Sequence, residues 1–211
     1  MFFAAFCFML YAFSFSLSLN MHLELLRKTA FQIMPLPDPE WEALAAVWTP
    51  VQYKRREVMT VAGEVEKYLY FVIGGVQRVF CLDGDKESTL LFTYTGSFSG
   101  VMDSFQLQRP SPWYLETLTH SELLRMSYTD FNRLTLEFPL IERWVRLGTV
   151  AALGGVMERH RELLSFTAEQ KFRKLLTRSP HVLQLIPHKY LASYLGIDPA
   201  TFSKLLSTVK L

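Results

Sequence analysis

The sequence predicts an α+β fold: an N-terminal β-roll or jelly roll preceded by helices, then one long helix, then a C-terminal helix-turn-helix. Three observations carry that prediction. Residues 51–127 are short runs of β-branched and aromatic residues broken by glycine and aspartate, the texture of a roll or sandwich. From Pro139 a helix-forming stretch runs to about Leu164, too long for a small roll to bury by itself. The last segment, IPHKYLASYLGIDPATFSKLLSTVKL, holds two short helical patterns divided by Gly196.

Taken in order, residues 1–20 (MFFAAFCFMLYAFSFSLSLN) are uncharged and interrupted by Ser14, Ser16 and Ser18. They lack the basic start of an export signal and fall just short of the roughly 20 apolar residues of an anchor. We expect them to lie outside the native fold, with Met21 as the start, and expect no stable membrane association. Residues 21–138 are expected to form the sensor roll with its N-terminal helices. After Met21, HLELLRKTAFQIMPLPDPEWEALAAVW reads as an amphipathic helix, a proline-containing turn and a second helix. The following segment supplies six to eight strands, with DGD at 83–85 as a hairpin turn. Glu64 and Glu66 alternate there and are expected to face solvent.

Thr129 and Asp130 open a short helix ending near Glu137, and Pro139 suits the first turn of the next. Residues 139–164 form that long helix. Gly148, Gly154 and Gly155 fall inside it, each costing up to about 1 kcal/mol relative to alanine. Close approach of a second helix offsets such a cost, so a homodimer seam through Leu140, Trp144, Leu147, Ala151 and Gly154 is expected. The competing reading is a helix lying on its own roll.

Charge divides unevenly. Residues 1–139 hold 11 Lys+Arg against 15 Asp+Glu, and residues 140–211 hold 11 against 5. A basic C-terminal third points to a polyanionic partner or to a solvated basic face. Cys7 and Cys81 stand far apart, and the five histidines form no HExxH or H-x-H pair. A disulfide framework, an iron–sulfur or zinc site and a metal-dependent jelly-roll enzyme are therefore disfavoured. No nucleophile–base spacing or paired carboxylates suggest another enzyme, so no catalytic residue and no cofactor are assigned.

Residues 165–211 carry the sharpest signal. Thr167-x-x-Gln170 is a capping box for a helix ending near Thr177, before Pro180. A helix from His188 turns Leu191 and Leu195 inward and stops at Gly196; Asp198 then caps a helix with Pro199 in its first turn. In that last helix Phe202, Leu205, Leu206 and Val209 fall on one face, leaving Ala200, Thr201, Ser203, Lys204 and Ser207 outward. Such a pair would present the second helix to the major groove of double-stranded DNA, with His188, Lys189, Lys204 and Lys210 toward phosphates.

With these motifs in view, the chain from about Met21 resembles the Crp/Fnr family of bacterial transcription regulators, especially the short Bacteroidetes-type members with a cyclic nucleotide-binding domain. The segments that carry the resemblance are AGEVEKYLYFVIGGVQRVF (62–80), GSFSGVMDSF (96–105), QRPSPWYLETLTHSELL (108–124) and HKYLASYLGIDPATFSK (188–204). It implies a β-roll sensor, a dimerisation helix and a helix-turn-helix whose DNA binding responds to a ligand or to redox state at the roll. It also implies a ligand pocket at Phe98, Gly100, Val101, Arg109, Ser111 and Trp113.

The family's cyclic-nucleotide binders carry F-G-E-L followed by R-S-A, the glutamate on the ribose and the arginine on the cyclic phosphate. Here Val101 replaces the glutamate, and Pro110-Ser111-Pro112 replaces the triplet with Arg109 one place early. Neither valine nor proline reproduces a charge-assisted arginine–phosphate contact. Cyclic AMP in the usual pose is therefore not expected, while an unknown anionic small molecule remains compatible with Arg109. Relatives read bases with an acidic residue and an arginine where this chain has Ala200 and Lys204. The expected function is a cytoplasmic, homodimeric, DNA-binding transcription regulator; the alternative is a ligand-sensing or scaffold protein that uses the roll and binds no DNA.

Overall fold

The computed structural model describes residues 2–84 and 86–209, with side chains described from Ser18 onward. Helix α1 (Phe2–Ile33) is continuous across Met21. The expectation for residues 1–20 falls mostly on side chains outside the described set, although Leu19 packs beside Leu23 on the main core. No helix among the described residues is long and apolar enough to cross a membrane. Pro35 and Pro37 separate α1 from α2 (Asp38–Ala45).

Eight strands follow: β1 (Thr49–Tyr53), β2 (Val58–Thr60), β3 (Tyr68–Gly74), β4 (Val76–Asp83), β5 (Lys86–Tyr94), β6 (Phe98–Ser99), β7 (Tyr114–Thr117) and β8 (Ser121–Ser127), with the short helix α3 (Met102–Leu107) between β6 and β7. They form two antiparallel four-stranded sheets in the orders β1-β8-β3-β6 and β2-β7-β4-β5. Alternation along β3 decides the layers, because successive side chains point to opposite faces. Tyr70 and Val72 join Val79, Val101, Leu115 and Leu123 inside the roll. Leu69 and Phe71 turn outward with Leu124 and Met126 onto α1, α2, α4 (Tyr128–Glu137) and α5 (Pro139–Ser165). Burial on both faces explains why YLYFVI reads as one apolar run. The β3–β4 turn requires glycine at 75: φ is +91° and an added Cβ would lie 2.5 Å from the His120 carbonyl oxygen. Asp83 pairs opposite Lys86, which confirms the hairpin, although Asp85 lies outside the described residues.

The long helix takes Trp144 out of the expected seam. Trp144 is buried, and its Nε1 donates to the Ala30 carbonyl at 2.9 Å. Leu140 also packs on the core and Leu147 is half-buried. A Cβ on Gly148 would meet Ile33 of α1 at 3.3 Å, so that glycine serves the chain's own packing. Ala151 and Gly154 are exposed. The large apolar residues that α5 leaves in solvent are Val150, Leu153, Val156 and Met157, each 59% exposed, with Leu163 and Leu164. By helical spacing Val150, Leu153, Met157 and Leu164 lie on the side away from Ile141 and Trp144.

Helix α6 (Ala168–Arg178) starts on the Thr167–Gln170 capping box, with both reciprocal hydrogen bonds formed. After α7 (Val182–Leu185), α8 (His188–Leu195) and α9 (Pro199–Thr208) complete the chain's helices. Phe172, Leu175, Leu191, Leu195 and Phe202 share one core with Val76 and Leu118 of the roll. Leu206, expected inside, is 37% exposed, and Val209 lies past the end of α9.

Candidate functional site

The segment from Phe98 to Trp113, the cassette that holds the expected pocket residues, is closed on itself. Gly100 has φ +127°, and an added Cβ would lie 3.2 Å from the Tyr68 carbonyl oxygen, so the chain passes tightly under β3 into Val101 and α3. The Val101 amide donates at 3.3 Å to the carboxylate of Glu66. Glu66, expected in solvent, is 2% exposed. Its carboxylate also accepts the Tyr68 amide at 3.2 Å and the Thr60 hydroxyl. The Ser111 amide pairs with the Glu64 carbonyl, and the Ser111 hydroxyl donates to the Trp113 carbonyl at 2.7 Å. The Ser104 hydroxyl holds the Arg109 carbonyl at 2.6 Å.

These donors already have partners inside the chain, and the partner of the Val101 amide is the buried Glu66 carboxylate. A phosphate at the Val101 amide would have to displace that carboxylate, and would be repelled by it when it is ionised. Arg109 is exposed, whereas Glu66 is enclosed. Phe98 packs on the outer core: its ring lies 5.3 Å from Phe71 and 5.5 Å from Trp144. Val101 and Ser111 are buried and Trp113 is half-buried against the roll interior.

Burial pushes the Glu66 carboxyl above its ordinary value of 4.5, opposed by the Thr60 hydroxyl and the amides of Tyr68, Val101 and Lys67. A carboxyl raised in the folded state stabilises the fold below its unfolded pKa and loses that contribution as pH climbs through the folded value. Glu66→Gln removes the titration. Its melting temperature relative to wild type is expected to rise as pH increases from about 4 to about 8; thermal melts of both proteins check this, and a constant difference contradicts it.

The second assembly is the helix pair α8 and α9. Gly196 ends α8 at φ +64°, and Asp198 caps α9, accepting the Ala200 and Thr201 amides at 2.9 Å each. The Thr201 hydroxyl reaches the same carboxylate at 2.6 Å and, with its amide, holds the Asp198 carboxyl below the usual carboxylate range. Phe202 is fully buried, its ring 5.3 Å from Phe172, which fixes α9's rotation. Pro199, Ala200, Ser203, Lys204 and Ser207 therefore face solvent together, while Thr201 is only half-exposed. Ser203 and Ser207 return their hydroxyls to the Pro199 and Lys204 carbonyls. The His188 ring packs 5.4 Å from Phe202, and Lys189 is exposed with its Nζ 4.6 Å from the Tyr190 ring. Lys210 lies outside the described residues.

Between the two assemblies sits a group that sequence reasoning missed. Arg78 of β4 is 1% exposed. Its guanidinium pairs with Glu116 at 2.5 Å and Glu87 at 2.6 Å, and lies 4.1 Å from the Phe80 ring and 3.8 Å from the Tyr190 ring of α8. The available signal was an arginine inside the apolar run VQRVF, since such a charge is seldom buried unless paired.

Residues 50–137 match the family of cyclic nucleotide-binding domains. No curated protein sequence matches the chain. Among solved structures, FixK2 from Bradyrhizobium japonicum is similar at 17% identity, covering 76% of this chain and 83% of that one with a TM-score of 0.68. The c-di-GMP responsive global regulator CLP of Xanthomonas campestris is similar at 20% identity, covering 81% and 90% with a TM-score of 0.60. The catabolite activator protein of Thermus thermophilus is similar at 22% identity, covering 85% of each chain with a TM-score of 0.54. At these identities the likeness establishes the fold: a cyclic nucleotide-binding-type roll followed by C-terminal helices.

Proposed function

We propose that the protein is a homodimeric, DNA-binding transcription regulator of Crp/Fnr type, acting in the cytoplasm and resembling the family's short Bacteroidetes-type members. The observation that carries this reading is the outward face of α9. A capped helix rotated by a buried Phe202 presents Ala200, Ser203, Lys204 and Ser207 to solvent beside the exposed Lys189. Small side chains let a helix approach base edges, and the two lysines suit phosphates. The overall likeness to solved regulators supports the same reading. The exposed stripe of α5 supports a second copy as partner, through Val150, Leu153 and Met157 rather than Trp144. Glu66 in the closed cassette argues against cyclic AMP in the usual pose and against another anion at that position.

Fluorescence anisotropy on a duplex from the gene's upstream region and on a random duplex tests this. The wild type is expected to prefer the first. Lys204→Ala is expected to weaken binding and to reduce the salt slope by about one counterion per subunit. Equal affinity for both duplexes, unchanged by Lys204→Ala, overturns the reading and favours a roll that serves a partner other than DNA.

A further inference from the structure

We propose that the cleft between the β1–β2 turn, the β7–β8 turn and α7 binds a small phosphate monoester, held by Arg55, His120 and His188. None of its lining residues belongs to the cassette. The site stands whether or not the protein reads DNA.

The cleft encloses about 570 Å³, within the range of small-molecule sites. Three basic side chains from distant stretches of chain converge on it, and no carboxylate is among its described lining residues. The cleft beside the start of α9 differs in having Glu87 and Asp198 in its wall. Exposed arginines such as Arg133, Arg146 and Arg161 stand beside carboxylates of their own helices. Arg55 does not: the carboxylate nearest it in sequence, Glu57, accepts the Lys54 amide at 2.7 Å instead.

Both roll turns are held in place by the chain itself. Arg56 sits in the left-handed region at φ +63°, which costs a residue with a Cβ about 1 kcal/mol or more. Its amide donates to the Thr117 carbonyl at 2.8 Å, and the Thr117 hydroxyl donates to the Lys54 carbonyl at 2.6 Å. Arg55 is therefore bracketed by two anchored neighbours. On the other turn, the Thr119 hydroxyl accepts the Val76 amide at 3.0 Å and the Ser121 hydroxyl donates to the Thr119 carbonyl at 3.1 Å, which fixes the backbone on both sides of His120. Turns ordered in advance lower the entropic cost of binding. Donors from three directions match the three terminal oxygens of a phosphate monoester better than the two of a carboxylate. Leu183 and Leu185 give the body of the ester an apolar wall. Leu185 and Thr119 also border a second hollow of about 320 Å³ beside Tyr94 and His181, again with no carboxylate among its described lining residues.

His188 is also assigned to a duplex phosphate above, so the test uses Arg55→Ala and His120→Ala, which lie outside that reading. Phenyl phosphate is titrated into the full-length protein and followed by amide NMR shifts. Saturable shifts at Thr119, His120 and Gln184 are expected, with phenyl phosphate binding more tightly than inorganic phosphate. Each variant should weaken binding by about ten-fold, the loss of one hydrogen bond to a charged group. Their melting temperatures should match wild type, because both side chains are exposed. The proposal is overturned by any of four results: no saturable shift in wild type, wild-type affinity in both variants, shifts confined to the cassette around Arg109, or inorganic phosphate binding as tightly as phenyl phosphate. It also fails if the upstream duplex moves these amides and phenyl phosphate does not, which assigns the cleft to a backbone phosphate. No duplex enters the first titrations, so failure of the DNA reading leaves their result standing.

Discussion

Replacing Arg78 with alanine is expected to destabilise the protein by about 3 kcal/mol, the lower end of what removing one partner of a buried ion pair costs. The lower end applies because the two carboxylates differ in their access to water. The Glu87 side chain is 44% exposed and rehydrates in place, whereas that of Glu116 is 14% exposed and keeps its charge in a poorly hydrated site. Two aromatic rings also lose the cation between them. Adding Glu116→Gln to Arg78→Ala removes the stranded charge and should recover part of the loss. Urea unfolding of the single and double variants checks this; a single-variant loss below about 1 kcal/mol would show that the pair is no better than a surface contact.

Leu153→Glu combined with Met157→Glu is expected to convert a dimer to a monomer and to weaken binding to a two-half-site duplex by about 10²-fold or more. The residues are four apart on α5, so both charges emerge on one face. In a two-fold dimer each substitution enters the interface twice, once from each subunit, which doubles the added charge. Both side chains are 59% exposed in the single chain, so the melting temperature of the monomer should scarcely move. Sedimentation and anisotropy on the same samples check the two effects together. A dimer that survives both substitutions places the seam elsewhere.

The parts of the fold legible in the sequence were those decided by local chemistry. Thr167 and Asp198 cap their helices through their own side chains, and the Asp83–Lys86 hairpin closes beside a glycine. The α8–α9 pair was readable because Gly196, Asp198 and Pro199 each act within a few residues. What escaped depends on distant chain. Periodicity shows that α5 has apolar faces, but only α1 decides that Trp144 meets the Ala30 carbonyl and not a second copy. Glu66 reads as solvated within GEVEK, and it becomes buried only when the cassette closes over it. Phe98 is part of the family-like motif, yet packing against Trp48, Phe71 and Trp144 takes it into the core. Arg78 is enclosed by a helix from the far end of the chain, a contact that no local window contains.

The most direct test of the central claim is the salt dependence of binding to the upstream duplex. With Lys189 and Lys204 from each of two subunits at phosphates, about four counterions are released. The logarithm of affinity should then fall against that of salt with a slope near −3.6, or about 10²-fold between roughly 50 and 200 mM. That steep, sequence-preferring decline is the result expected of a DNA-reading regulator. Binding that is absent, or equal on random duplex at every salt concentration, would contradict it.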